Sequence, residues 1–482
     1  MVTRLSTIVL AGLLAAGTAV VSAQRGNPLV KFDGQTVDEM IAAFMAERQI
    51  PGVTLAIVQA PYISRAVGYG VSDTESRRLA SPKTLWNVGQ MARAYTAVAI
   101  KQLVEAGKVK IDDPVGKHVT GLPPAWQPVT LQQLIGHASG LPDYTRQAGF
   151  DPARVYTRAQ LLALVRDARI EFTPNTNGGA SATDYLLLGM VVERASGMSY
   201  EAYVTKNQIE RLQLRNTVFA SGLPGVKQET LDGPEAKHRA FLLERPFIDP
   251  TEAATGYTLK GGALAPVKAA ADSAWFGHGA IFASAEDISL WDIGLAGGQL
   301  VASKDNRHVL YNPAVIDQGI TIPANAGWRF PRHKGLMDIE GSVPGYSCYL
   351  ARFTDPGELL CVTLCGNRDG IDFTGLARRI AGAFDPRLGP SLKMKTSRES
   401  TYSVASTADR FESFIATKSV VVAPRPGAAS TKEFSLRLGA GRESIVRVWE
   451  EADGTVWLGY DESDASLRPA LEAAVKYATA PY

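Results

Sequence analysis

Cysteine, histidine and excess charge are all scarce in this chain. Three of its 482 residues are cysteine, Cys348, Cys361 and Cys365, and six are histidine. An odd cysteine count, confined to one predicted hairpin, argues against a disulfide framework and for small buried strand residues. The histidines are scattered and none pairs as H-x-x-x-H, so no metal and no cofactor is expected. Fifty Lys and Arg against 48 Asp and Glu leave a net charge of +2, which gives no basic footprint for nucleic acid. Long apolar runs are missing everywhere except at the start, so nothing after the first residues is suited to crossing a bilayer.

What is present begins with MVTR, the apolar run STIVLAGLLAAGTAVV, and Val21-Ser22-Ala23 ahead of Gln24. One cation, an apolar stretch and a small-x-small site read as a secretory signal peptide over residues 1–23. The rival reading, an uncleaved anchor, is weaker because the run falls short of about 20 apolar residues. The mature protein is expected in the periplasm or secreted, with no transmembrane segment after cleavage. Its 45% hydrophobic and 20% charged composition is that of a soluble globular protein. The length fits one large domain plus a small one.

Along the chain, Val37 to Glu47 reads as a helix, then Val53–Gln59 and Ser64–Val71 as a strand hairpin. Gln90 to Ala106 is a helix with Tyr95, Val98, Ala99 and Leu103 on one face. Thr130–Ile135 is a short helix stopped by GHASGLP, and Ala182–Ser196 another that ends at Gly197. Residues 208–275 are rich in Gly, Pro and charge and read as irregular. Tyr346–Phe353 and Glu358–Gly366 form an antiparallel hairpin across Asp355-Pro356-Gly357. Strands at both ends with helices between them predict α+β architecture, an antiparallel sheet flanked by helices with an inserted helical subdomain, over residues 27–385. A polar, turn-rich linker follows at 386–400. Residues 401–482 read as a small α+β domain: a helix capped at Ser406-x-x-Asp409, the strand SVVVAP, a hairpin around Asp453-Gly454, and a final helix.

The segments TLWNVGQMARAYTAVAIKQLVEAGKVKIDDPV, TLQQLIGHASGLPDY, DYLLLGMVVERASGMSYEAYV with LQLRNT, and GSVPGYS together resemble the serine β-lactamase and D-Ala-D-Ala peptidase superfamily. The branch is similar to class C β-lactamases and related esterases. The likeness runs from about residue 35 to about 385 and is poor over 208–275 except at ATGYTLKGG. The tail resembles a small exported domain family of unknown function, a likeness that says nothing about chemistry. The resemblance implies a Ser-x-x-Lys at the start of the long helix, with serine as nucleophile and lysine aiding its deprotonation. It also implies a Tyr-x-Asn before the second long helix, and a Lys-x-Gly or His-x-Gly on a late strand that contributes an oxyanion-hole amide.

This chain departs from that pattern at nearly every reacting position. Gln90 stands for the serine and Arg93 for the lysine; Ala180-Ser181-Ala182 replaces the tyrosine motif, and Ile339-Glu340-Gly341 keeps only the glycine. No Ser-x-x-Lys or G-x-S-x-G occurs elsewhere in the chain. The lone pair of a carboxamide nitrogen is delocalised into its carbonyl, so Gln90 has no nucleophile to offer. A guanidinium stays protonated up to about pH 12, so Arg93 is no general base. Ala180 has no proton to give or take.

What survives is binding chemistry. The backbone N–H of Gln90 and an amide near Ser342 are expected at the oxyanion position, and a helix N-terminus with Arg93 favours an anion. Each side chain also has a plainer reading. Arg93 either binds a ligand or plugs the old site by pairing with Glu340 or Asp184. Gln90 either reads a ligand or bonds the helix start. Ser181 is a replacement nucleophile only if a base lies beside it, and none is predicted. Glu340 is the candidate new acid or base, or else a solvated edge residue. His137 and His278 read as satisfied scaffold residues. The expected function is non-hydrolytic binding, through Gln90, Arg93, Ser181, Glu340, Gly341 and Ser342, of a peptide-like or carboxylate small molecule or a protein partner. A working enzyme with reassigned residues and a structural envelope scaffold remain the alternatives.

Overall fold

The computed structural model describes residues 30–223, 253–267, 271–331, 335–354, 360–385, 388–389, 396–418, 420–425, 431–437, 444–451, 454–460 and 466–480. The chain divides into two compact units between Phe384 and Asp385. The expected leader, the turns at Asp355-Pro356-Gly357 and Asp453-Gly454 in part or whole, and most of the linker lie outside the described residues.

The first unit is organised by strands β1 (Gly52–Gln59), β2 (Tyr62–Asp73), β3 (Arg78–Leu79), β4 (Ala324–Asn325), β5 (Trp328–Arg329), β6 (Leu336–Val343), β7 (Tyr346–Phe353) and β8 (Leu360–Gly366). They form one sheet in the order β4-β5-β6-β7-β8-β1-β2-β3, with antiparallel pairing throughout. The central strands are apolar because both their faces are covered: every residue of β8 is buried, and so is every residue of β1 but Gln59. Helices α1 (Val37–Arg48), α2 (Ala92–Glu105), α3 (Leu131–Ile135), α4 (Ala182–Ser196), α5 (Ala285–Ala296) and α6 (Thr374–Phe384) surround it. α5 lies on one face, where Ser289 meets Thr363, while α1 and α6 pack together on the other. α2 packs against α4, and α3 against α4, making the helical part of the unit. Antiparallel sheet, flanking helices and helical insert are the α+β architecture expected from the sequence.

Local chemistry explains the boundaries. Thr36 and Glu39 form a capping box that starts α1, and Thr130 with Gln133 does the same for α3, which therefore begins at Leu131 and not at its cap. Ser181 caps α4. α2 has no side-chain cap; a 3-10 turn over Gly89–Met91 leads into it, so regular helix starts at Ala92, two residues later than the periodicity suggests. The segment expected to be irregular contains Thr217–Phe219 and a hairpin of Tyr257–Lys260 with Ala263–Pro266.

The second unit is a five-stranded antiparallel sheet in the order β9 (Thr396–Ser400), β13 (Val456–Tyr460), β12 (Ser444–Glu450), β11 (Thr431–Arg437), β10 (Val421–Arg425). Helices α7 (Val404–Ile415) and α8 (Arg468–Thr479) pack on each other, and Phe411, Phe434, Val446, Leu458 and Leu471 share one core. β9 and β11 are additions to the sequence reading. Their segments, TSRES and TKEFSLR, are too polar to announce strands, and backbone pairing with β13, β12 and β10 is what orders them. The α7 cap is Ser403, whose hydroxyl accepts from the Ser406 N–H, in place of the Ser406 cap expected.

The cysteines correct a second expectation. Cys348 of β7 and Cys365 of β8 face each other in register and form a disulfide, while Cys361 stays a free, buried thiol beside Asp292. The two are equidistant in sequence from the Pro356–Gly357 junction, so the hairpin itself brings them together. A cross-link between residues 17 apart removes chain entropy from the unfolded state worth about 3 kcal/mol. Cys348→Ala with Cys365→Ala is expected to lower unfolding free energy by about that amount in urea titration; an unchanged midpoint would show that the link carries no stability.

Candidate functional site

The site is built where the start of α2 meets the edge of β6. Trp86 and Asn87 form a short strand, and Asn87 Oδ1 accepts the Gly89 N–H at 3.0 Å. Gly89 then takes φ +53°, a left-handed conformation open to glycine at little cost. That bend lays Val88–Gln90 against β6 so closely that a Cβ on Gly341 would stand 1.8 Å from the Val88 carbonyl oxygen. Both glycines are thus required by the approach of two backbones. Strand β5 pairs with β6 only at Arg329–Asp338, and further along this edge the loop takes a strand's place. The Ser342 N–H donates to Gln90 Oε1 at 2.7 Å. The amide and the side chain that the resemblance singles out thus bond to each other.

Arg93 sits one helical turn on. Its guanidinium lies 5.5 Å from the centre of the Tyr185 ring, a cation–π placement, and its buried Nε has no hydrogen-bond partner among the described residues. Neither expected ion pair forms. Strand alternation turns Glu340 to the face of β6 opposite Ile339, where it is exposed and pairs with Arg329 at 2.5 Å. Asp184 is fully buried and accepts the Ser139 hydroxyl at 2.5 Å through Oδ1, while its Oδ2 is unpartnered among the described residues. Burial pushes the Asp184 carboxyl well above the usual carboxylate range, opposed by the Ser139 hydrogen bond and the Arg93 charge. His137 is pushed down to about 3, first by burial and then by Arg93. Arg93 therefore stands in a buried polar neighbourhood without a counter-ion bound to it.

The other two motif positions have different settings. Ala180 is exposed. Ser181, 3% exposed, accepts the Thr183 N–H as the α4 cap, and the Ala182 N–H donates to Asp143 Oδ2 at 3.1 Å. Ser181 is thus a helix cap, with no base bonded to it among the described residues. Ile339 lines a small apolar pocket with Val88, Met91, Ala94, Trp328 and Leu350, where the family resemblance implies a cation or imidazole. His278 is buried against the Tyr144 hydroxyl, 2.6 Å from Nε2, a scaffold contact. The structure so gathers Gln90, Gly341 and the Ser342 backbone, sets Arg93 against Tyr185 and Ile339 in the apolar pocket, and turns Glu340 to the opposite face of β6. Among the described residues no group of three or more His, Cys, Asp or Glu is arranged to hold a metal.

Sequence reasoning missed Asn87, Ser139 and Asp143, which fix the loop, the buried carboxyl and the α4 start. Asp143 follows proline in LPDY, and Asp in such a turn commonly bonds nearby backbone N–H groups; that signal was readable. Asn87 and Ser139 give no comparable signal.

His137 supplies a pH dependence with a definite sign. Its folded value lies far below the ordinary 6.5, so the unfolded chain takes up the proton first, and the stability present above pH 6.5 is lost as pH falls toward 3. His137→Gln is expected to flatten the fall of unfolding free energy between pH 6.5 and 4 by about 1.4 kcal/mol per pH unit. Parallel slopes in urea titrations of the two proteins would contradict this.

Comparison with known proteins agrees with this geometry. Protein flp of Staphylococcus aureus (strain MW2) is 27% identical over 190 residues, 38% of each chain. Penicillin-binding protein 4* of Bacillus subtilis (strain 168) is 24% identical over 306 residues, 60% of this chain and 62% of that protein. The matches thus span under two thirds of either relative's length. The octameric penicillin-binding protein homologue of Pyrococcus abyssi shares the fold, with a TM-score of 0.59 at 22% identity over 88% of this chain and 99% of that one. The Beta-lactamase family itself matches residues 37–383. With that span, and with the helix start and strand edge meeting as described, the chain belongs to the Beta-lactamase family.

Proposed function

We propose that this chain is a non-hydrolytic member of its family that binds a peptide-like or carboxylate ligand at the junction of α2 and β6. The observation that carries the reading is the bond from the Ser342 N–H to Gln90 Oε1. A carboxamide occupies the nucleophile's place and points its oxygen at the donor that would stabilise an acyl oxyanion. No acyl-enzyme is formed by a group without a free lone pair on a nucleophilic atom. The second support is Arg93, a guanidinium without an ion-pair partner among the described residues, a turn along the same helix. Guanidinium pairs with carboxylates in a planar, two-bond geometry, which favours a ligand carrying one. The leader expected from the sequence supports binding outside the cytoplasm; among the described residues no helix is long and apolar enough to cross a membrane.

Incubation with a fluorescent penicillin or a fluorophosphonate is expected to leave the protein unlabelled, and D-Ala-containing peptides or small carboxylates to raise its melting temperature. Covalent labelling would sink the non-catalytic reading, and the labelled peptide would name the nucleophile. No labelling and no stabilisation would favour a scaffold. A companion expectation concerns repair: Gln90→Ser with Arg93→Lys will not hydrolyse penicillin, because Ala180 offers no proton and Ile339 leaves the pocket behind it apolar. Steady turnover of penicillin by that double variant, measured at the β-lactam absorbance, would show that these two positions had been overvalued.

A further inference from the structure

The bond between Gln90 and Ser342 has a direction that fixes its chemistry. A backbone N–H only donates, so the atom facing it is the carboxamide oxygen, and Gln90 Nε2 is turned elsewhere. The side chain of glutamine ends in a primary amide, whose carbonyl oxygen is an acceptor like that of the secondary amide joining residues of a peptide. We propose that Gln90 is a built-in occupant of the ligand's carbonyl position: its Oε1 stands where the amide or carboxylate oxygen of a ligand binds, and the ligand enters by displacing it. This rests on the ligand-binding reading above.

Three features make the occupant removable. Gln90 is half-buried and Ser342 exposed, so the bond lies at the solvent rim. The backbone beneath is held independently of that side chain, by Asn87 on the Gly89 N–H and by the Met91 N–H on the Val88 carbonyl. The side chain can therefore swing out without disturbing the loop. Finally, the Ser342 N–H projects from an edge where, past Asp338, β5 does not pair, so once Gln90 leaves, the donor is free for an incoming acceptor. Gln90 then acts as a gate: apparent affinity is reduced by the fraction of molecules in which the position is already filled.

The test compares wild type, Gln90→Ala and Gln90→Glu by titration calorimetry with N-acetyl-D-alanyl-D-alanine, beside amide hydrogen exchange of the β6 segment without ligand. Gln90→Ala is expected to bind about five- to tenfold more tightly than wild type, the factor carried by one net hydrogen bond. Its Ser342 amide is expected to exchange faster. Gln90→Glu, which still accepts from Ser342 but repels the probe's carboxylate, is expected to bind more weakly than wild type. Equal affinity of Gln90→Ala and wild type overturns the gate, and weaker binding by Gln90→Ala overturns it while leaving Gln90 as a ligand contact. An unprotected Ser342 amide in wild type overturns the gate whatever the titrations show. Protection as expected with no binding by any of the three proteins overturns the ligand-binding reading, and the gate with it.

Discussion

The close approach of two backbones, Val88–Gln90 and the edge of β6, is the constraint on which the rest of the site depends. It leaves no room for a Cβ at residue 341 and requires a left-handed turn at residue 89, so two glycines follow from it directly. It also aligns the first residues of α2 with the Ser342 amide, because the loop substitutes for the strand that β5 does not supply past Asp338. An edge amide without a strand partner must find an acceptor or water. The side chain at residue 90 is the group nearest to hand, and glutamine has an oxygen at the reach needed.

A second consequence is electrostatic. Residue 93 projects from the next turn of α2 toward Tyr185, into ground already occupied by Asp184, His137 and Ser139. The Arg93 charge opposes the neutralisation of Asp184 while adding to the suppression of His137. Three buried polar atoms, Arg93 Nε, Asp184 Oδ2 and His137 Nδ1, are left without protein partners among the described residues. A folded protein seldom leaves several such groups in one neighbourhood without water or a ligand.

Much of this was legible in the chain. The long helices, the late hairpin and the α+β class follow from apolar periodicity and turn residues, and the degenerate motifs stand out once the framework segments align. Glu340 was misplaced for a physical reason. Its neighbour Ile339 lines the pocket, and the period of two in a strand then forces Glu340 to the other face, where Arg329 takes it. Arg329 lies 11 residues away in sequence and belongs to a two-residue strand with no periodic signal. The Cys348–Cys365 link, in contrast, was readable: once the turn of the hairpin is placed, register alone pairs them. Counting cysteines without pairing them concealed it. In the second unit, β9 and β11 were missed because edge and polar strands are ordered by backbone pairing, which leaves little imprint on side-chain pattern.

On the reading proposed above, fold and reaction part company along a line that the residues themselves draw. The two glycines, Asn87, the α4 cap and the strand-edge amide serve the packing of the chain, and losing any of them would cost stability whether or not a reaction takes place. The nucleophile, its base, the tyrosine and the late-strand cation or imidazole that the resemblance implies serve only the reaction, and Gln90, Arg93, Ala180 and Ile339 align with those four positions. On the non-hydrolytic reading proposed above, a strand-edge N–H that must still be hydrogen-bonded remains a donor for an incoming oxygen, and a site that holds an acyl oxygen without attacking it is a binding site.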